Sequence, residues 1–165
     1  MPEVSGTSLA RVNRILIDEA VRLGADRDAL LHDSGLDEGM LADPDRRLSA
    51  RWTTDLWMAI VRALPDGDAG VRMGASQALR DYGLVGYAML HSRTLEDAFG
   101  RLCRYSGIVQ ELMQLEIASG PDSLDLSFAR RPMLEALEQP AEYGASRMVA
   151  VARELTGVEI VPVEV

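Results

Sequence analysis

The sequence predicts an α+β fold, a helical N-terminal half followed by a small antiparallel sheet in β-β-α-β order. Three observations carry that expectation. As far as Val109, apolar residues recur at the three- and four-residue spacing of amphipathic helices. After Gln110 the apolar period falls to two, the period of a half-buried strand. Between the two alternating runs stands "SGPDS", a cluster of turn-forming residues.

The elements follow in order. Over Ser8–Leu23 the residues Leu9, Val12, Leu16 and Ala20 form one helical stripe, which "LGAD" stops at Gly24. A short helix is expected over Asp28–Ser34, ended by Gly35. "LADPDRRLS" reads as a polar connection, because Pro44 disfavours helix at Asp43. Ser49 is placed to cap a longer helix, Ala50–Leu64, with Leu48 before the cap as a staple. Its stripe is Trp52, Leu56, Ile60 and Ala63, widened by Trp57. "PDGDAG" ends that helix, and Val71–Leu79 predicts another short one. Gly83–Leu90 is apolar with small residues, suited to close helix packing or to a ligand-facing turn.

Thr94 opens the clearest helix. Thr94 and Asp97 approximate a capping box, with aspartate in place of glutamate or glutamine. Leu95, Ala98, Phe99, Leu102, Cys103 and Val109 make its stripe, and Asp97 and Arg101 are spaced as an i,i+4 pair on the other side. Leu115 and Ile117, then Leu124, Leu126 and Phe128, alternate on either side of "SGPDS", which predicts a β-hairpin with a loop of about five residues. Pro132 and Pro140 bracket an irregular connection. Tyr143–Leu155 is amphipathic through Met148, Val151, Ala152 and Leu155, with Gly157 as its C-cap. "VEIVPVEV" reads as a last strand, and Pro162 assigns it to a sheet edge or a bulge.

With 165 residues the chain is expected to form one domain. Area scaling lets a chain of this size bury roughly 70% of its unfolded surface. The composition, 47% hydrophobic and 26% charged, is that of a globular protein. All 17 basic residues are arginine, so Schiff-base, phosphate-loop and Ser–Lys chemistry lack their lysine. The net charge of −9 argues against a nucleic-acid surface in this segment, since neutralising phosphates takes a clustered positive patch. A single cysteine excludes an internal disulfide. The N-terminus lacks a signal-peptide hydrophobic region, and no apolar run reaches membrane-spanning length. A cytoplasmic protein without membrane contact is expected.

Catalytic signatures are missing. "GTSLA" and "GASQA" each lack the second glycine of a nucleophile elbow, and neither His32 nor His91 has zinc spacing. No metal or cofactor is expected. Cys103 reads as a nucleophile with His91 as partner, or as a small hydrophobe on the stripe of Phe99 and Leu102; the second reading is preferred. His91 suits a helix C-terminus, and His32 sits on a short polar helix. Trp52 and Trp57 share a helix with Ile60, a spacing usual for core residues, though a tryptophan lining a small-molecule pocket looks identical in sequence. Tyr87 and Tyr105 have apolar neighbours and hydroxyls that need partners. Arg101 and Arg104 could face an anionic ligand, or pair with Glu96 and Asp97 at the surface. The candidate ligand-binding set is Trp57, Tyr87, His91, Arg101 and Tyr105; no residue is assigned to catalysis.

The segment "LVGYAMLHSRTLEDAFGRLCRYSGIV", with "GLDEGMLADPDRRLS", "DAGVRMGAS", the hairpin and "GVEIVPVEV" in the same order, resembles the N-terminal domain of AraC/XylS-type transcriptional regulators of the arabinose-binding-like subgroup. The resemblance runs from about Ser8 to Val165 and lies in the order of structural residues. It implies a sensor and dimerisation domain that precedes a DNA-binding domain of two helix-turn-helix motifs. No recognition helix or basic patch is present up to Val165, so truncation to the regulatory domain is expected, with DNA reached only through the missing part. One asparagine, Asn13, and few glutamines point away from a sugar toward an apolar or amphipathic effector. The expected function is therefore a small-molecule sensor acting as a homodimer, its effector between the Gly83–Val109 helices and the sheet. The alternatives are an oligomerisation domain regulated by protein partners and, last, a small cysteine-dependent enzyme.

Overall fold

A computed structural model describes residues 6–76, 78–121, 123–130 and 138–163. The fold is α+β, with helices dominating and two small antiparallel sheets. The first sheet was not legible in the apolar pattern. Strand β1 (Thr7–Leu9) pairs with β2 (Arg47–Ser49) in the register Ser8↔Leu48. Ser8 is therefore in a strand, and helix α1 begins only at Ala10 and runs to Arg22. The polar connection ends in β2 and is preceded by a short helix, α3 (Glu38–Leu41), which Asp37 caps by accepting from Met40 N–H at 2.8 Å. Three-residue strands are too short to show a period, so the alternation test had nothing to act on.

Helix α2 (Arg27–Ser34) is set at both ends. Asp26 accepts from Ala29 N–H at 2.7 Å, and Gly35 closes the helix at φ 72°. The Trp52 ring lies where a Cβ on Gly35 would stand, so glycine is required there twice over. Helix α4 spans Ala50–Ala63 behind Ser49, and its buried face is Thr53, Leu56, Trp57 and Ile60. Ala63, expected on the stripe, is exposed; Trp52 is half-buried.

Helix α5 is Ala69–Ala75, and Leu79 belongs instead to a 3₁₀ turn, Leu79–Tyr82. Helix α6 (Leu84–Leu90) packs on α7 (Leu95–Val109), whose Thr94 cap accepts from Asp97 N–H at 3.1 Å. The hairpin is β3 (Met113–Ser119) with β4 (Leu124–Arg130), in the register Leu115↔Phe128 and Ile117↔Leu126. Helix α8 (Glu138–Thr156) starts earlier than the spacing predicts, with Pro140 in its first turn, where the missing N–H costs nothing. Gly157 ends it at φ 66°. The connection at Pro132 lies outside the described residues. Residues 158–163, expected as a strand, pair with no strand. Pro162 offers no N–H there, and the Ile160 carbonyl is taken by Arg153 Nε at 2.9 Å.

Two apolar cores result. One gathers α1, α2 and α4 around Leu16, Leu56 and Ile60; the other gathers α6, α7 and α8 around Met89, Leu102 and Val151. Val12 packs against both. Helices α5 and α8 cross closely at Gly70 and Gly74. A Cβ on Gly70 would run into the Gln139 carbonyl oxygen, and one on Gly74 into that of Tyr143.

These contacts predict opposite outcomes for two glycine substitutions. Gly74→Ala must push two backbones apart and should lower unfolding free energy by about 1–3 kcal/mol. Gly100→Ala, in α7 with no atom within 4 Å of the added carbon, should raise it by about 0.5–1 kcal/mol through helix propensity. Urea denaturation of the two variants measures both.

Candidate functional site

Where the two cores meet, a cavity of about 70 Å³ remains. Its walls come from separate parts of the chain: Val12, Ile15 and Leu16 of α1; Thr53 and Trp57 of α4; Asp81 and Tyr82 of the 3₁₀ turn. Leu102, Ser106 and Val109 of α7 and Leu115 of β3 close one side; Tyr143, Arg147 and Met148 of α8 close the other. Most of this lining is hydrocarbon, so a guest would gain mainly by leaving water.

The end of α7 beside the cavity is fixed by a polar junction. Arg47 of β2 donates from Nε to Thr7 Oγ1 at 2.7 Å and from its terminal nitrogens to the carbonyls of Ile108 and Gly107 at 2.9 and 3.2 Å. A guanidinium thus satisfies two of the carbonyls that a helix leaves open at its C-terminus, where positive charge is favoured. Thr7 accepts from Glu111 N–H with its carbonyl at 2.9 Å, and Ser8 Oγ lies 2.7 Å from Thr53 Oγ1 in the interior. These bonds join β1, β2, α4 and α7 around one end of the cavity.

Inside, the dominant charge is Arg147, only 6% exposed. Its Nε donates to the Tyr82 hydroxyl and its Nη1 to the Tyr143 hydroxyl at 3.0 Å. The guanidinium carbon also stands 3.8 Å from the centre of the Tyr82 ring, a cation–π contact. Burial works against the charge, but the two tyrosine oxygens outweigh it and the arginine pKa is displaced upward. Burial likewise pushes the Tyr82 phenol up, against the lowering pull of Arg147. Among the described residues no carboxylate forms an ion pair with Arg147. Asp81 borders the same cavity, with Oδ2 accepting from Ala78 N–H at 2.9 Å.

The five residues chosen from sequence separate. Trp57 is buried and lines the cavity, its ring meeting Tyr143 edge-on at 5.2 Å and 68°. Tyr87 is 62% exposed on α6, stacked edge-on against His91 at 4.3 Å, and His91 occupies the C-cap of that helix. Arg101 is exposed and donates to the Ala88 carbonyl at 3.3 Å, closing the C-terminal turn of α6. Tyr105 is exposed on α7. None of these last four borders the cavity. Helix α7 and strand β3 form walls, as expected of the Gly83–Val109 helices and the sheet, but α6 does not.

Arg147, Tyr143 and Tyr82 were not singled out. A signal existed: Arg147 shares the apolar stripe of α8 with Gly144, Met148 and Val151, and an arginine on a buried stripe requires partners. An open groove of about 540 Å³ between α5, α8 and Pro162 is larger; along it Glu142 and Arg153 are half-buried and Glu154 is exposed.

Cys103 is half-buried, and burial, reinforced by Glu116, raises its thiol above the ordinary value. At neutral pH its thiolate fraction is correspondingly smaller than that of a solvated thiol. Alkylation by iodoacetamide in the folded protein should run several-fold slower than that of free cysteine, and accelerate as pH rises. A rate equal to or above that of free cysteine would contradict this environment.

Among the described residues, no helix is long and apolar enough to cross a membrane, and no three histidine, cysteine or acidic side chains are grouped to hold a metal. A comparison with curated proteins returns no match. The pattern of the arabinose-binding domain of AraC transcription regulators, N-terminal, matches residues 24–165. The match takes in the α4, α7, β3 and α8 walls of the cavity and most of the chain: this protein belongs to that family of ligand-binding regulatory domains of AraC-type regulators.

Proposed function

We propose that the cavity between the two cores is the effector site of this regulatory domain, and that the whole chain from β1 to α8 acts as one sensing and dimerisation unit. The observation that carries the reading is the make-up of the cavity: mainly apolar walls with Trp57, Tyr82 and Tyr143 as aromatic members and one buried cation, Arg147. A mainly apolar or amphipathic effector suits such walls better than a sugar, which needs several amide or carboxylate partners. Occupancy would favour one arrangement of α1, α7 and α8, and an attached DNA-binding domain would respond to that difference in affinity.

A homodimer is part of this reading. Leu84, Tyr87 and Leu90 recur along α6 and are exposed, as is Ile108 on α7, apolar surface that a second copy would cover. DNA binding is assigned to a separate domain, because the acidic surface here offers no phosphate-tracking patch. Chemistry is not assigned to this site, whose walls hold no nucleophile–base pair.

A small-molecule panel tests the effector reading. A ligand at one hundred times its Kd adds about 2.7 kcal/mol to stability, which for a chain of this size raises Tm by about 5–10 °C. The same ligand should change the emission of Trp57 in a Trp52→Phe background, where it is the single indole. A broad panel that moves neither quantity would remove the reading.

A further inference from the structure

The lone buried cation of the cavity specifies more than a site. We propose that the effector is a small monocarboxylate, its carboxylate held by Arg147 and its hydrocarbon body lying among Val12, Leu102, Leu115 and Met148. This inference rests on the proposed effector site and names the chemistry that the site selects.

An arginine carries five N–H donors in a planar fork. Two are engaged, one with the Tyr82 hydroxyl and one with that of Tyr143. No remaining donor of Arg147 meets a protein acceptor among the described residues. Phenolic oxygens are neutral, so they orient the guanidinium without cancelling its charge. A buried cation whose only partners are neutral hydroxyls still attracts an opposite charge, and an incoming carboxylate supplies it while accepting charge-assisted hydrogen bonds. The two tyrosines hold the fork in place beforehand, so little side-chain freedom is lost on binding.

Two features narrow the class. Asp81 borders the same cavity, and a second carboxylate on the guest would face its charge. One carboxylate is therefore accepted and two are opposed. The volume of about 70 Å³ holds on the order of five water-sized groups, which excludes a long acyl chain unless the walls part. A short aliphatic acid comes nearest to both limits, and a single-ring acid requires the walls to part.

Calorimetric titration of the full chain with butyrate, hexanoate and benzoate, each against its amide, tests the proposal. At least one acid should bind ten-fold or more tightly than its amide. Arg147→Met, which fills similar volume without charge, should weaken that acid ten-fold or more and bring acid and amide to similar affinity. Arg147→Gln, which keeps a donor toward the tyrosines, provides the same comparison should Arg147→Met fail to fold, with circular dichroism as the check. Equal binding of acids and amides, or undiminished acid binding by a folded neutral variant, would overturn the carboxylate assignment while leaving an effector site in place. Failure of all three acids to bind overturns it too; the effector site itself then rests on the wider panel and Trp57 emission.

Discussion

The close crossing of α5 and α8 at Gly70 and Gly74 is the constraint on which the rest of the architecture depends. With backbone carbonyls of Gln139 and Tyr143 seated against two glycines, the axial position of α8 is fixed by hard contacts between main chains. Flexible side chains could have tolerated a slide of the helix; carbonyl oxygens do not. Because α8 cannot slide, Tyr143 and Arg147, one turn apart, are delivered to the seam between the two cores. The charge inside the protein is thus positioned by residues that bear no side chain at all.

That seam explains why a cavity exists. Its walls are drawn from both apolar clusters, with Leu16 and Trp57 from one and Leu102 and Val109 from the other. Each cluster is packed around its own helices, and Val12 touches both. The gap left between them is bordered by a cation that needs polar company. Tyr82 and Tyr143 provide it from opposite walls, one from the 3₁₀ turn and one from α8.

Much of the architecture was readable from periodicity, and the site less so. Helices α4 and α7 and the β3–β4 hairpin follow from stripes, caps and alternation, because each is long enough to repeat its pattern and carries a local stop signal. Strands β1 and β2 escaped because their partner is remote in sequence, and three residues display no period. The terminal "VEIVPVEV" has strand-like residues but finds no partner strand over residues 158–163. At the site, Trp57 could be chosen since a buried indole is rare and large. Tyr87, His91, Arg101 and Tyr105 share a sequence neighbourhood with the cavity but lie elsewhere: Tyr87 and Tyr105 are exposed, His91 caps α6 and Arg101 bonds the Ala88 carbonyl. Arg147 was passed over because an arginine in a helix is ordinarily solvated, and only its phase relative to Met148 and Val151 marked it.

The family pattern begins at residue 24, yet the walls of the cavity begin earlier. Upstream of that boundary lie β1, which completes the sheet with Arg47–Ser49, and α1, which provides Val12, Ile15 and Leu16. A boundary drawn at the start of the recognisable pattern would amputate one side of the chamber and leave the Arg47 guanidinium without its threonine acceptor. The recognisable portion of this domain is therefore smaller than the portion that encloses the cavity, and residues 7–22 are masonry.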